Sequence, residues 1–144
     1  MVIHKTSYRL TFRDVDSMGI LYYARYFFLF EIGRVEWMRD EGFSYRDMEK
    51  KMQQSLPVTK ADCHYIAPIS YDEIAIVRTE IAAWTQTTIR FSHTIHREEQ
   101  DELCAKGQVE LGCLAHGDQR PSAIPQELIT ILNNQAREKR GRLR

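Results

Sequence analysis

Between Ala24 and Glu41 the chain reads as one helix whose first half is apolar nearly all round, through Tyr26, Phe27, Phe28, Leu29 and Phe30. That half offers water no polar stripe, so protein must enclose it on most sides. The second half is amphipathic, with Arg34, Arg39, Asp40 and Glu41 available to solvent and Trp37 and Met38 turned inward. Gly33 costs about 1 kcal/mol against Ala inside a helix, which points to a second backbone coming close there. Gly42 supplies the stop. The enclosing surface is legible in strand-like runs over 58–65, 73–84, 87–97 and 102–116, with a first strand over about 5–13. Strand, helix and then four strands in meander predict an α+β fold. Its sheet is antiparallel, curved, of about five strands, and wraps one long central helix.

Shorter signals complete the outline. Ser44 can cap a helix over about 45–53, with Asp47 at the capping-box position. Thr85-Gln86 is a tight link between two strands, and Pro121 and Pro125 lead into a closing helix over about 126–137. The 144 residues are expected to form a single domain, 1–144, ending in a basic, solvated tail over 137–144. Twenty basic and twenty acidic residues cancel, so no global field points to nucleic acid or to a membrane. Cys63, Cys104 and Cys113 are odd in number and lie in strand-like runs, which suits reduced thiols better than a disulfide framework. The first twenty residues are charged, without an apolar stretch, and the segment 22–33 is too short to span a bilayer. A soluble, cytoplasmic protein is expected.

The chemistry concentrates in Asp14-Val15-Asp16-Ser17-Met18-Gly19-Ile20-Leu21-Tyr22-Tyr23. Two carboxylates stand in a tight loop just ahead of a helix start, where backbone N–H groups lack acceptors and can hold a carbonyl oxygen. On local sequence alone, an Asx turn or helix cap is the commoner job for Asp in such a place. Asp14 reads as structural, paired with the turn backbone or with Arg13. Glu31 falls on the apolar part of the helix and is either a site residue or the partner of Arg34. Most of Tyr22, Tyr23, Tyr26 and Phe27 are expected to pack the core, as are Trp37 and Trp84 unless they anchor an interface. His93 and His96 fall on opposite faces of one strand, and His64 beside Cys63 has the same defect as a nucleophile pair. There is no G-x-S-x-G elbow, no glycine-rich phosphate loop and no Cys-x-x-Cys spacing.

Three segments resemble the hot-dog thioesterases of the 4-hydroxybenzoyl-CoA thioesterase type, which include acyl-CoA thioesterases. They are Arg13-Asp14-Val15-Asp16 with Gly19 to Tyr26 and Phe30 to Arg34, Tyr65-Ile66-Ala67-Pro68-Ile69-Ser70-Tyr71-Asp72-Glu73, and Gly107 to Pro125. The resemblance spans about 6–132 and implies hydrolysis of an acyl- or aroyl-thioester of coenzyme A or of an acyl carrier protein. It makes Asp16 the catalytic carboxylate and the Tyr23 N–H the group that polarises the thioester carbonyl. It also places Gly19 and Glu31 among the substrate-binding residues. It implies a homodimer or homotetramer, with no metal and no cofactor beyond the coenzyme A of the substrate. Two departures stand out. Many relatives carry His at the Tyr23 position and Asn at the Arg25 position, and some place Arg and Lys just after the Trp84 position to grip nucleotide phosphates. Here Thr85-Gln86-Thr87 follows Trp84, so Arg90, Arg97 or the basic tail would have to serve, or the carrier is a protein-bound pantetheine. A non-catalytic module that binds acyl-CoA or an acyl carrier is the competing reading.

Overall fold

The computed structural model describes residues 3–143, with side chains through Glu138. Strand β1 (His4–Arg9) leads through the acidic turn into α1 (Arg25–Asp40) and a short α2 (Tyr45–Lys51). Then come β2 (Gln54–Ser55), β3 (Val58–Ala61), β4 (His64–Tyr65), β5 (Ile74–Trp84), β6 (Thr88–Arg97), β7 (Glu102–Gly112) and β8 (Leu114–Ala115). Helix α3 (Gln126–Leu143) closes the chain. It continues past Arg137, where the sequence reading ended it, and the basic side chains from Lys139 onward lie outside the described residues.

The sheet is antiparallel and runs β1-β5-β6-β7-β3, with β4 continuing the β3 edge along β7. Only β5, β6 and β7 form the expected meander. The expected strand over 58–65 is two pieces, broken at Asp62-Cys63, and it pairs with β7 rather than with β5. The vacant edge of β5 is taken by β1, in register from His4↔Thr79 to Arg9↔Ile74. Periodicity marks a strand but not its neighbour, and here the α1–α2 link carries the chain from one sheet edge to the other. Four strand spacings are only about 19 Å, well within the reach of that link. Opposite the β3–β4 junction only glycine fits at position 107, because a Cβ there would run into the Asp62 carbonyl and the Phe30 ring. The register shift of this edge lies between Val58 and Lys60.

Helix α1 buries Tyr26, Leu29, Phe30, Gly33, Trp37 and Met38, a stripe with helical spacing. The stripe meets alternate residues of the sheet, including Val77, Ile89, Phe91, Ile95 and Val109. Trp37 stands edge-on to Phe91 at 5.5 Å and Phe30 stacks on His93 at 4.8 Å. The close approach expected at Gly33 is present: a Cβ there would collide with Thr79 Oγ1 and lie 2.9 Å from Val77 Cγ1. Gly42 follows the helix end at φ +81°, and Ser44 Oγ accepts the Asp47 N–H at 3.1 Å. All three cysteines are free thiols, two of them buried. Among the described residues no helix is long and apolar enough to cross a membrane.

Candidate active site

The acidic turn starts where β1 leaves the sheet. Asp14 N–H donates to the Thr11 carbonyl at 3.0 Å, and the Asp14 carbonyl accepts the Tyr22 N–H at 2.8 Å. The Asp14 side chain is fully buried. Its Oδ2 accepts the Tyr8 hydroxyl at 2.8 Å, the Thr11 N–H at 2.7 Å and the Thr11 hydroxyl at 2.9 Å. Its Oδ1 accepts Arg25 Nε at 3.1 Å and Nη2 at 2.5 Å. The cation beside Asp14 is therefore Arg25, not the adjacent Arg13, because the turn folds back onto the start of α1. Burial alone would raise the Asp14 carboxyl. The Thr11 N–H, Arg25 and the two hydroxyls outweigh it and hold the group below its ordinary value. Arg25 also lies 4.2 Å over the Phe28 ring, which fixes its place.

Asp16 is built differently. Its Oδ1 accepts the Met18 N–H at 2.8 Å, an Asx turn, and its carbonyl accepts the Gly19 N–H at 2.9 Å. Gly19 sits at φ +76°, a conformation that favours glycine, and its carbonyl takes the Tyr71 N–H at 2.9 Å. The turn is clamped by the bridges Val15↔Leu21 and Ile20↔Ser70. Asp16 is half-buried, and no cation pairs with it among the described residues. Neither Asp caps α1: the N-cap is Ala24, which makes no side-chain cap bond.

Asp16, Ile20, Leu21, Tyr23 and Tyr26 form one side of a cavity of about 380 Å³ that Tyr65, Ile66, Ala67 and Pro68 close from the β4 side. The backbone N–H groups of Tyr23 and Ala24, at the mouth of α1, donate to no acceptor among the described residues. The Tyr65 hydroxyl donates to the Tyr23 carbonyl at 2.7 Å, and its ring stands edge-on to Tyr26 at 4.8 Å. Arg97 braces the Pro68 side, donating to the Pro68 carbonyl at 2.5 Å and pairing with Glu73 at 3.1 Å and Glu102 at 2.7 Å. Arg97 is thus already engaged. Arg90 is exposed and shares a small cleft of about 70 Å³ with Lys60, Asp62, Gln108 and Glu110.

Asp16 and Tyr23 thus line one cavity, with Gly19 shaping the turn beneath it. Glu31 does not line it. That residue is solvent-exposed rather than buried, close enough to Arg34 to favour its charge while burial opposes it. The aromatic cluster also differs from expectation: Tyr26 is 3% exposed, but Tyr22, Tyr23 and Phe27 are 41%, 62% and 36% exposed. Those three lie off the stripe that α1 turns to the sheet. His93 and His96 do face opposite ways, His93 into the core against Thr79 Oγ1 at 3.0 Å and His96 against Arg78 at 3.1 Å. Among the described residues no group of three His, Cys, Asp or Glu is placed to hold a metal. Sequence reasoning did not single out Tyr65, and it offered Arg97 for substrate phosphates rather than as the brace of the Pro68 wall. Tyr65 opens the segment Tyr65 to Glu73, but no local pattern says that its hydroxyl reaches α1.

Comparison with known proteins gives the chain's family and fold. The acyl-CoA thioesterase YbgC of Haemophilus influenzae is 28% identical over 120 residues, covering 83% of this chain and 87% of the relative. The crystal structure of the DHNA-CoA thioesterase of Staphylococcus aureus superposes with a TM-score of 0.90 at 28% identity, over 98% of this chain and 96% of that one. A 1,4-dihydroxy-2-naphthoyl-CoA thioesterase from Synechocystis shares the fold, with a TM-score of 0.83 at 19% identity over 89% of this chain and 93% of that one. The profile of the Thioesterase-like superfamily matches residues 10–132, and the chain belongs to that superfamily.

Proposed function

We propose that this thioester hydrolase cleaves an acyl- or aroyl-CoA thioester to the free acid and thiol, with Asp16 as its carboxylate. One observation carries the assignment: Asp16, with one oxygen outside the Asx turn and no cation beside it, shares a cavity with the uncapped start of α1. A thioester bound there presents its carbonyl oxygen to the Tyr23 and Ala24 N–H groups. Asp16 then attacks the carbonyl carbon itself, giving a mixed anhydride that water hydrolyses to the acid, or takes a proton from a water that attacks the carbon. In either route the C–S bond breaks and sulfur departs as the thiol. The positive end of the helix favours both the ionised carboxylate and the developing oxyanion.

In this reading the sheet wraps α1 in the hot-dog manner, and the exposed Tyr22, Tyr23 and Phe27 are covered in a homodimer or homotetramer. Support for the oligomer is the exposure of these large apolar side chains, together with Phe12 and Met18 of the acidic turn and its approach, each 78% exposed. Light scattering should give a mass of two or four chains, and a monomer would remove that part of the proposal. The protein acts in the cytoplasm and uses no metal or further cofactor. Its substrate is an acyl-CoA or the same acyl group on a carrier protein.

The decisive test is release of free thiol from acyl-CoA esters, acetyl through long-chain to benzoyl and phenylacetyl, by wild type and Asp16→Asn. The substitution should lower kcat by roughly 10²–10⁴. An unchanged rate in a folded Asp16→Asn protein would sink the assignment.

A further inference from the structure

Tyr65 reaches the mouth of α1 from the opposite wall of the cavity. Its hydroxyl donates to the carbonyl of Tyr23 at 2.7 Å, across a sequence separation of 42 residues. That carbonyl belongs to the peptide whose N–H is that of Ala24, one of the two donors left without an acceptor. The peptide is planar, so restraining its oxygen also restrains the direction of its N–H. A donor on the oxygen also draws charge through the amide and makes the N–H a stronger donor, the cooperative effect of a hydrogen-bonded chain. The Tyr65 ring is held in turn by its edge-on contact with Tyr26, itself buried in the core.

From this geometry we infer that Tyr65 is a positioning residue for thioester cleavage, acting through the Tyr23–Ala24 peptide to aim and strengthen the Ala24 N–H toward the thioester carbonyl oxygen. The inference rests on the proposed assignment of Asp16 and the α1 mouth. The N–H needs that strength most when negative charge develops on the oxygen, so the effect of the hydroxyl belongs to the transition state and not to ground-state binding. A structural bond alone would alter stability and leave kcat of the folded protein as it was.

The test compares full-length wild type, Tyr65→Phe and Asp16→Asn in thiol release from one acyl-CoA panel, with thermal unfolding measured on each. Tyr65→Phe should lower kcat by roughly tenfold, less than the loss of a direct oxyanion donor. KM should stay within about twofold, with the same ratio for every acyl group, because the hydroxyl acts in the transition state. A chain carrying a fluorinated tyrosine at position 65 keeps the bond with a more acidic phenol, and assayed below that phenol's pKa its kcat should equal or exceed wild type. Full kcat in Tyr65→Phe, or a rise in KM alone, overturns the role of Tyr65 while loss in Asp16→Asn leaves the assignment standing. Full activity in Asp16→Asn overturns the assignment and this inference with it. If Tyr65→Phe fails to fold, the fluorinated chain decides: kcat below that of wild type overturns the role.

Discussion

Asp14 and Asp16 are two positions apart and their surroundings give them opposite tasks. Asp14 accepts bonds on both oxygens from Tyr8, Thr11 and Arg25 and has no capacity left for a substrate. Asp16 spends one oxygen on its own turn. A buried carboxylate with a cationic partner costs most when one member is removed, since the other is left uncompensated. Asp14→Asn should therefore lower stability by about 3 kcal/mol, less than a wholly buried pair would lose because Arg25 is partly exposed. Urea unfolding checks this, and a change under 1 kcal/mol would mean that the turn does not depend on the pair. The structural place of Asp14 was legible in the sequence, but its cationic partner was not. Arg25 reaches Asp14 only after the turn has folded back on α1, which no pattern of neighbouring residues specifies.

Helix α1 and the sheet meet most closely at Gly33, where the helix backbone lies against Thr79 and Val77. His93 completes that contact through its 3.0 Å bond to Thr79. A methyl added at Gly33 gains the helix propensity of Ala, about 1 kcal/mol, yet must push Thr79 and Val77 aside. Overpacking of this kind costs roughly 1–3 kcal/mol, so Gly33→Ala should be destabilising on balance or near neutral, never stabilising by the full propensity gain. Thermal unfolding of the variant measures the sign. The same scale explains the misplaced strand. Residues 58–65 carry strand character, yet they pair with β7 at the far edge of the sheet, where Gly107 leaves room for the Asp62 carbonyl.

At the scale of the molecule, stability should fall as pH falls, in two windows. Burial holds the His93 ring neutral with its pKa pushed down to about 3, against an ordinary value of 6.5. The unfolded chain protonates that ring below 6.5 while the folded one does not, so its contribution is complete above 6.5 and is lost toward 3. Asp14 has a lowered pKa, so its contribution is present above the ordinary value of 3.8 and is lost only as pH falls below it. The slope between pH 6 and 4 should approach about 1 kcal/mol per pH unit from His93. His93→Gln should flatten that slope, whereas Asp14→Asn should lower the curve above pH 4 without changing that slope and remove the pH dependence that Asp14 adds below pH 4. Unfolding free energies across pH 3–8 test both signs.

The sequence by itself determined the helix with its buried stripe, the strand-like runs, the Gly33 approach, the Gly42 stop and the tight acidic turn ahead of the helix. These are local matters of periodicity, turn chemistry and helix propensity, and neighbouring residues suffice to encode them. Only the tertiary structure decided which edge β1 and β3 occupy, that Arg25 pairs with Asp14, and that Tyr65 and Arg97 brace the cavity. It also turned Glu31, Tyr22, Tyr23 and Phe27 outward against their apolar setting. Each of these outcomes depends on which surfaces meet across long sequence separations. An apolar run records that burial is favourable, but only the packed sheet sets how much of the helix it can cover.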